Sequence, residues 1–114
     1  MRKWLFLFVC LMSLNLYAAG DVAFGTIKGI KLYGFSNAKD IHIHFHSDAV
    51  RVREACRVNG SARAVLSVAR HDEATVDRML SMLLAAHMAN KKVRIHTEGS
   101  GCLVDFVAIQ EAYY

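Results

Sequence analysis

The first twenty residues, MRKWLFLFVCLMSLNLYAAG, constrain the chain more than any later segment. Arg2 and Lys3 give a positive start, Trp4 to Met12 is an unbroken apolar run, and small residues follow at Ala18, Ala19 and Gly20. This is the layout of a secretory signal peptide. The apolar run is shorter than the roughly 20 residues needed to span a bilayer. A retained anchor is the alternative reading. Cleavage after Gly20 places Ala18 at the small −3 position, and cleavage after Ala18 is the second option. Residues 21–114 are then one small exported domain, with no length for a second.

Removing the leader changes the composition. Cys10 and the single tryptophan, Trp4, leave with it. Lys plus Arg falls from 14 to 12 against 10 acidic residues, so the mature charge is weakly positive. Cys56 and Cys102 remain, and an exported chain with two cysteines has one pairing to make. A redox-active pair is the other reading, but no Cys-x-x-Cys spacing lowers a thiol pKa here.

The mature region alternates between strand and turn signals around one helix. Phe24 to Phe35 reads as a long first strand that bends at Gly25, Gly29 and Gly34. Residues 36–40 turn. Ile41 to His46 alternates with period two, placing Ile41, Ile43 and Phe45 on one face and His42, His44 and His46 on the other. Residues 48–63 are polar and arginine-rich, with Asn59-Gly60 as a turn. Ala64 to Ala69 is a short apolar strand. Asp72 to Ala89 is the clearest helix, with Asp72 as N-cap and Asn90 just past its end. Its apolar arc is Val76, Met79, Leu80, Leu83 and Leu84, with His87 within it as a hydrogen-bonded core or subunit-contact residue. Val93 to Thr97 and Cys102 to Ala112 supply the last two strands. The order β-β-β-α-β-β predicts an α+β, mainly β fold: an OB-like five-stranded barrel with one helix between strands 3 and 4.

The segment 72–95, containing MLSMLLAAHMANKKVRIH, resembles the helix and fourth strand of the B subunits of bacterial AB toxins. Leu83-Leu84-Ala85-Ala86, Lys91-Lys92-Val93 and Gly101-Cys102 are similar to a pattern in small secreted proteins of Gram-negative bacteria. The resemblance implies an exported OB-fold binding module, periplasmic or secreted, that recognises a glycan or protein surface and forms homo-oligomers. It names no sugar-binding residue, because the tryptophan on which those toxins stack sugar has no counterpart in 21–114. Tyr33, Tyr113 and Tyr114 are the substitutes on offer. The disulfide also differs in position, tying the loop before the third strand to the turn before the last.

Candidate chemistry is sparse. His42, His44 and His46 could hold a metal in pairs, but the outer two stand roughly 13 Å apart along a strand. The other reading is a solvated strand face. Arg51, Arg53 and Arg57 are candidate contacts for an anion or an acidic partner, or else a solvated loop. His71 and His96 read as exposed strand-end residues. Export and the small net charge argue against nucleic acid. No nucleophile elbow, phosphate loop or paired carboxylates appear, so a non-enzymatic module without a cofactor and without a membrane span after leader removal is expected. A periplasmic interaction protein with no small ligand and a metal-binding protein are the alternatives. Met82, Met88 and Ala89 add apolar surface beyond the helix's core arc. That surface favours self-association, with the 48–63 loop folding over the flank of a monomer as the alternative.

Overall fold

The strand order follows from where the first strand runs out of hydrogen-bonding partners on each edge. The computed structural model describes residues 19–35, 37 and 39–114; the leader reading falls outside them. Strand β1, Gly20–Leu32, pairs antiparallel through its first half with β5, Lys92–Thr97, and through its second half with β2, Ile41–Phe45. On the edge opposite β5, the chain leaving β2 runs back along β1. Phe24 and Val50 exchange both backbone hydrogen bonds at 2.8 Å, and Arg53 N donates to Val22 O. The remaining strands are β3, Arg57–Val58, β4, Ser61–Leu66, and β6, Phe106–Ile109. They complete one six-stranded sheet in the order β3-β4-β2-β1-β5-β6. A single parallel bridge, Val65 to Leu103, joins β4 to the chain ahead of β6.

The fold is mainly β with one helix, as expected, but six strands stand where five were predicted. The two-residue β3 is added by the tight Asn59-Gly60 turn, whose residues both have positive φ, 54° and 82°. The last strand starts at Phe106 rather than Cys102, because residues 102–104 bond to β4 instead of β5. Strand β4 is shifted toward the turn, at 61–66 rather than 64–69.

Two of the glycines in β1 have separate physical roles. An added Cβ at Gly25 would lie 2.7 Å from the Ala49 Cβ and 2.8 Å from its Cα, so only glycine lets the returning loop approach. Gly29 sits at an irregularity in register between Ile27 and Gly29, and Lys28 is the extra residue of this β-bulge.

Helix α1, Glu73–Ala89, is bounded as its local chemistry dictates. Asp72 accepts from Thr75 N and Thr75 Oγ1. At the other end Asn90 is left-handed at φ 54°; Lys91 N donates to Ala86 O and Asn90 N to His87 O. That pair of bonds is a Schellman closure. Val76, Leu83 and Ala86 are buried, with Met79 and Leu80 partly so. Leu84, expected in the core arc, is exposed, and Ala86 takes its place. His87 is exposed too, although its Nδ1 donates to Ile27 O at 3.0 Å and ties the helix end to the β1 bulge. Met82 and Met88 face outward, Met88 at 86% exposure. Sheet and helix share one core, in which Ile41, Ile43 and Phe45 of β2 meet Val22, Ile27, Ala64, Leu66, Val93 and Ile95. Among the described residues no helix is long and apolar enough to cross a membrane.

Cys56 and Cys102 stand at disulfide distance, S–S 2.10 Å and Cα–Cα 5.7 Å. This pair is compatible with an oxidising, extracytoplasmic location. It lies beside the Val65–Leu103 bridge, where Arg53 Nη1 also donates to Gly99 O at 3.0 Å and Gly101 O at 3.5 Å. The loop before β3 is thus fastened to the turn after β5.

Candidate functional site

The side of the sheet away from the core, over β2 and its neighbours, carries three cations that form no ion pair among the described residues, Lys28, Lys31 and Arg63. Because β2 buries Ile41, Ile43 and Phe45, His42 and His44 must project from the other face. Cross-strand pairing then decides what surrounds them. Lys31 of β1 is opposite His42, Gly29 is opposite His44, and Arg63 of β4 is opposite His44 on the other side. Among the described residues neither Lys28, Lys31 nor Arg63 forms an ion pair. Tyr33 donates its N–H to Asp40 O, and its ring lies tilted at 49° to that of His42 with centroids 4.6 Å apart. Phe35 meets the Tyr33 ring edge-on and is 89% exposed.

Below the aromatic edge is a cavity of about 300 Å³ lined by Lys28, Gly29, Lys31, His44, Val58 and Asn59. The bulge creates it. Lys28 and Lys31 flank a glycine over which a Cβ would meet nothing within 4 Å. The β3–β4 turn supplies the far wall.

The histidines on this face are not freely solvated. Both are half-buried, and His44 Nε2 is buried without a hydrogen-bond partner among the described residues. Burial first, then the charges of Arg63 and Lys31, push the His42 pKa below its ordinary value, and Asp40 opposes the shift in part. Burial likewise lowers that of His44, joined by Lys31, His42, Arg63 and Lys28. Both rings are therefore neutral at neutral pH.

The metal reading does not gather a ligand set. The rings of His42 and His44 are 6.3 Å apart, and His46 lies past the end of β2, exposed. Among the described residues no three His, Cys, Asp or Glu side chains are placed to hold one ion.

The three arginines singled out by the sequence do not assemble into one anion contact. Arg51, left-handed at φ 52°, lays its guanidinium 3.7 Å from the Tyr113 ring centre. Arg53 is spent on the 99–101 turn. Arg57 donates to both carboxylate oxygens of Glu54 at 3.0 and 3.1 Å. Neighbours along an irregular segment point in different directions, so their run in sequence is not a patch in space.

Two further ionic clusters are occupied in holding the chain together. Asp21 accepts from Tyr113 Oη, from Arg94 Nε at 3.0 Å and from His96 Nδ1 at 3.3 Å, and Arg94 Nη1 donates to Tyr114 O. Burial raises the Asp21 pKa, but the three donors outweigh it and leave it below the usual range. This clasp secures the C-terminal tyrosines against β1 and β5. Asp105 accepts from Arg70, the Glu98 N–H and Thr97, with His71 Nε2 at 3.0 Å. His71 and His96, expected to be exposed, are thus both half-buried structural donors. Both clusters escaped sequence reasoning, because the pairs that close them, such as Arg70 with Asp105 and Asp21 with Tyr113, are 35 and 92 residues apart.

A larger cavity, about 370 Å³, lies between the end of α1 and β6. It sets Lys91 and Lys92 against Glu111 and has no aromatic wall, so it lacks the one-signed charge of the β2 face. No protein-family model, curated protein or solved structure matches this chain.

Proposed function

We propose that the chain is an exported, non-enzymatic binding module that recognises an anionic surface ligand through the outer face of β1, β2 and β4. The observation that carries this reading is three unpaired cations, Lys28, Lys31 and Arg63, beside an aromatic edge of Tyr33 and Phe35. Unpaired positive charge on one face draws an anionic partner over a distance set by salt. Exposed aromatic rings offer a stacking surface to a sugar or an apolar contact to a neighbouring group. An OB-type barrel accommodates these placements: β1 pairs with both β2 and β5, β2 with β4, β5 with β6, and the Val65–Leu103 bridge supports closure. In that arrangement Tyr33, Phe35 and β2 lie together at one binding face. The cysteine pair and the leader-like first twenty residues support export to the periplasm or beyond.

Binding of the exported, oxidised protein to sulfated or phosphorylated glycans and to their uncharged parents tests this reading. Retention on the anionic set alone, weakening as salt rises, is the expected result. Lys31→Glu with Arg63→Glu should reduce it by at least about tenfold, some 1.4 kcal/mol. Equal retention on neutral glycans, or an unaltered double variant, would refute it.

A further inference from the structure

We infer that the outward face of helix α1 is a homodimer interface, on which a second copy of this chain packs its own α1 antiparallel across a two-fold axis at Ser81. The inference goes beyond the anionic-ligand reading and uses none of the residues of the β2 face.

The helix spends one side on the core, where Val76, Leu83 and Ala86 are buried. The opposite side is exposed and poor in charge. Past the first turn, Asp77 and Arg78 are the only formally charged residues of α1. The exposed side presents Ala74, Arg78, Ser81, Ala85 and Met88 at heptad spacing, the roughly 3.5-residue repeat that keeps a seam facing a neighbouring helix. Leu84 flanks this seam on one rim and Met82 on the other; Met82, Leu84 and Met88 are 37%, 41% and 86% exposed. The segment expected as an alternative cover, 48–63, lies elsewhere. Val50 exchanges backbone hydrogen bonds with Phe24, and Arg53 N donates to Val22 O, so that segment runs along β1. The seam's one hydroxyl already has its acceptor: Ser81 Oγ donates to Asp77 O at 2.8 Å. Covering it therefore leaves no unpaired donor.

Charge decides what covers the seam, and in which direction. The helix starts among Asp72, Glu73 and Asp77 and ends at Lys91 and Lys92. Among the described residues Glu73, Asp77 and Lys91 form no ion pair. A helix with an acidic start and a basic end is complementary to an antiparallel copy of itself. With the axis at Ser81, small Ala74 makes room for Met88 of the second copy. The apolar stem of Arg78 covers Leu84 of the second copy, and Glu73 meets its Lys91. Each contact is made twice, as a two-fold interface requires. The opposed macrodipoles also attract. A parallel pair would instead set acid against acid and lysine against lysine. The seventeen residues of α1 make a stripe about 25 Å long. That is the small end for a lasting interface, so the dimer is reversible.

The test is sedimentation equilibrium of the exported, oxidised protein from about 10 μM to about 1 mM. The mass should rise reversibly from one chain toward two and stop there. Ser81→Glu sets two carboxylates face to face on the axis and should hold the protein at one chain. Met88→Ser should raise the dissociation constant at least about fivefold. Both positions are exposed, so unfolding midpoints should stay near the parent's and show that the domain is folded. Direction is read from charge reversal. Glu73→Lys and Lys91→Glu should each raise the dissociation constant about tenfold at low salt, because each change enters twice. The two together in one chain should restore parental affinity, which a parallel pair would not do. One-chain mass throughout overturns the inference. So does a mass beyond two chains, a dimer indifferent to Ser81→Glu, or a combined variant no tighter than either single one.

Discussion

Exported protein carrying Cys56→Ala with Cys102→Ala should unfold at much lower urea than the parent, losing about 4 kcal/mol of stability by the chain-entropy estimate. The two cysteines are 46 residues apart in sequence, so their bond removes many open conformations from the unfolded chain. The folded side of the balance adds to this. Cys56 is buried, and its partner adjoins the Val65–Leu103 bridge between β4 and the chain leading to β6. A loss of that size lowers the melting midpoint of a domain this small by roughly 15–30 °C. Thiol titration of the native parent should find none free. Two reactive thiols, or a loss below about 1 kcal/mol, would show that the pair does not fasten the fold.

Asp105→Asn should be the next most damaging change, at about 2–3 kcal/mol, the scale of charged hydrogen bonds lost from a buried acceptor. Its side chain is only 7% exposed and receives two donors from Arg70, at 2.5 and 2.7 Å, besides the Glu98 N–H at 2.8 Å. The Arg70 hydrogen bonds, opposed by burial and helped by the Glu98 N–H and the charges of Arg70 and His71, hold its pKa far below the ordinary carboxylate value. The sign of the pH effect follows. A carboxylate with a depressed folded pKa contributes its full stability above the unfolded value of about 3.9, and loses it as pH falls toward the folded value. The parent's stability should therefore decline on acidification below about pH 4 more steeply than that of Asp105→Asn. Urea midpoints across the acid range check this, and parallel curves would count against it.

Local signals were legible in the sequence, and long-range ones were not. Asp72 and Asn90 bound the helix because caps act within one turn of their own residue. The alternation in Ile41–Phe45 identified the buried face of β2 because side-chain direction in a strand follows position alone. By contrast, β3 is two residues long and owes its existence to a turn. The return of residues 46–53 along β1 depends on the contact between Gly25 and Ala49, which no local pattern announces. The site divides in the same way. The histidine pair was visible as a pattern, but Lys28 and Lys31 are drawn to it by a bulge whose position is set by pairing with β2. Arg63 arrives through the β2–β4 register. Arg51, Arg53 and Arg57 looked like a patch because they are close in sequence, yet each is held by a different partner.

The most direct test of the anion-binding face is backbone amide NMR of the exported, oxidised protein titrated with a sulfated polysaccharide. The largest shifts should fall on residues 28–33, on His42 and His44, and on residues 58–63, and they should fade at high salt. Shifts confined to α1, or to the clasp of Asp21, Arg94 and Tyr113, with β2 unmoved, would contradict the account.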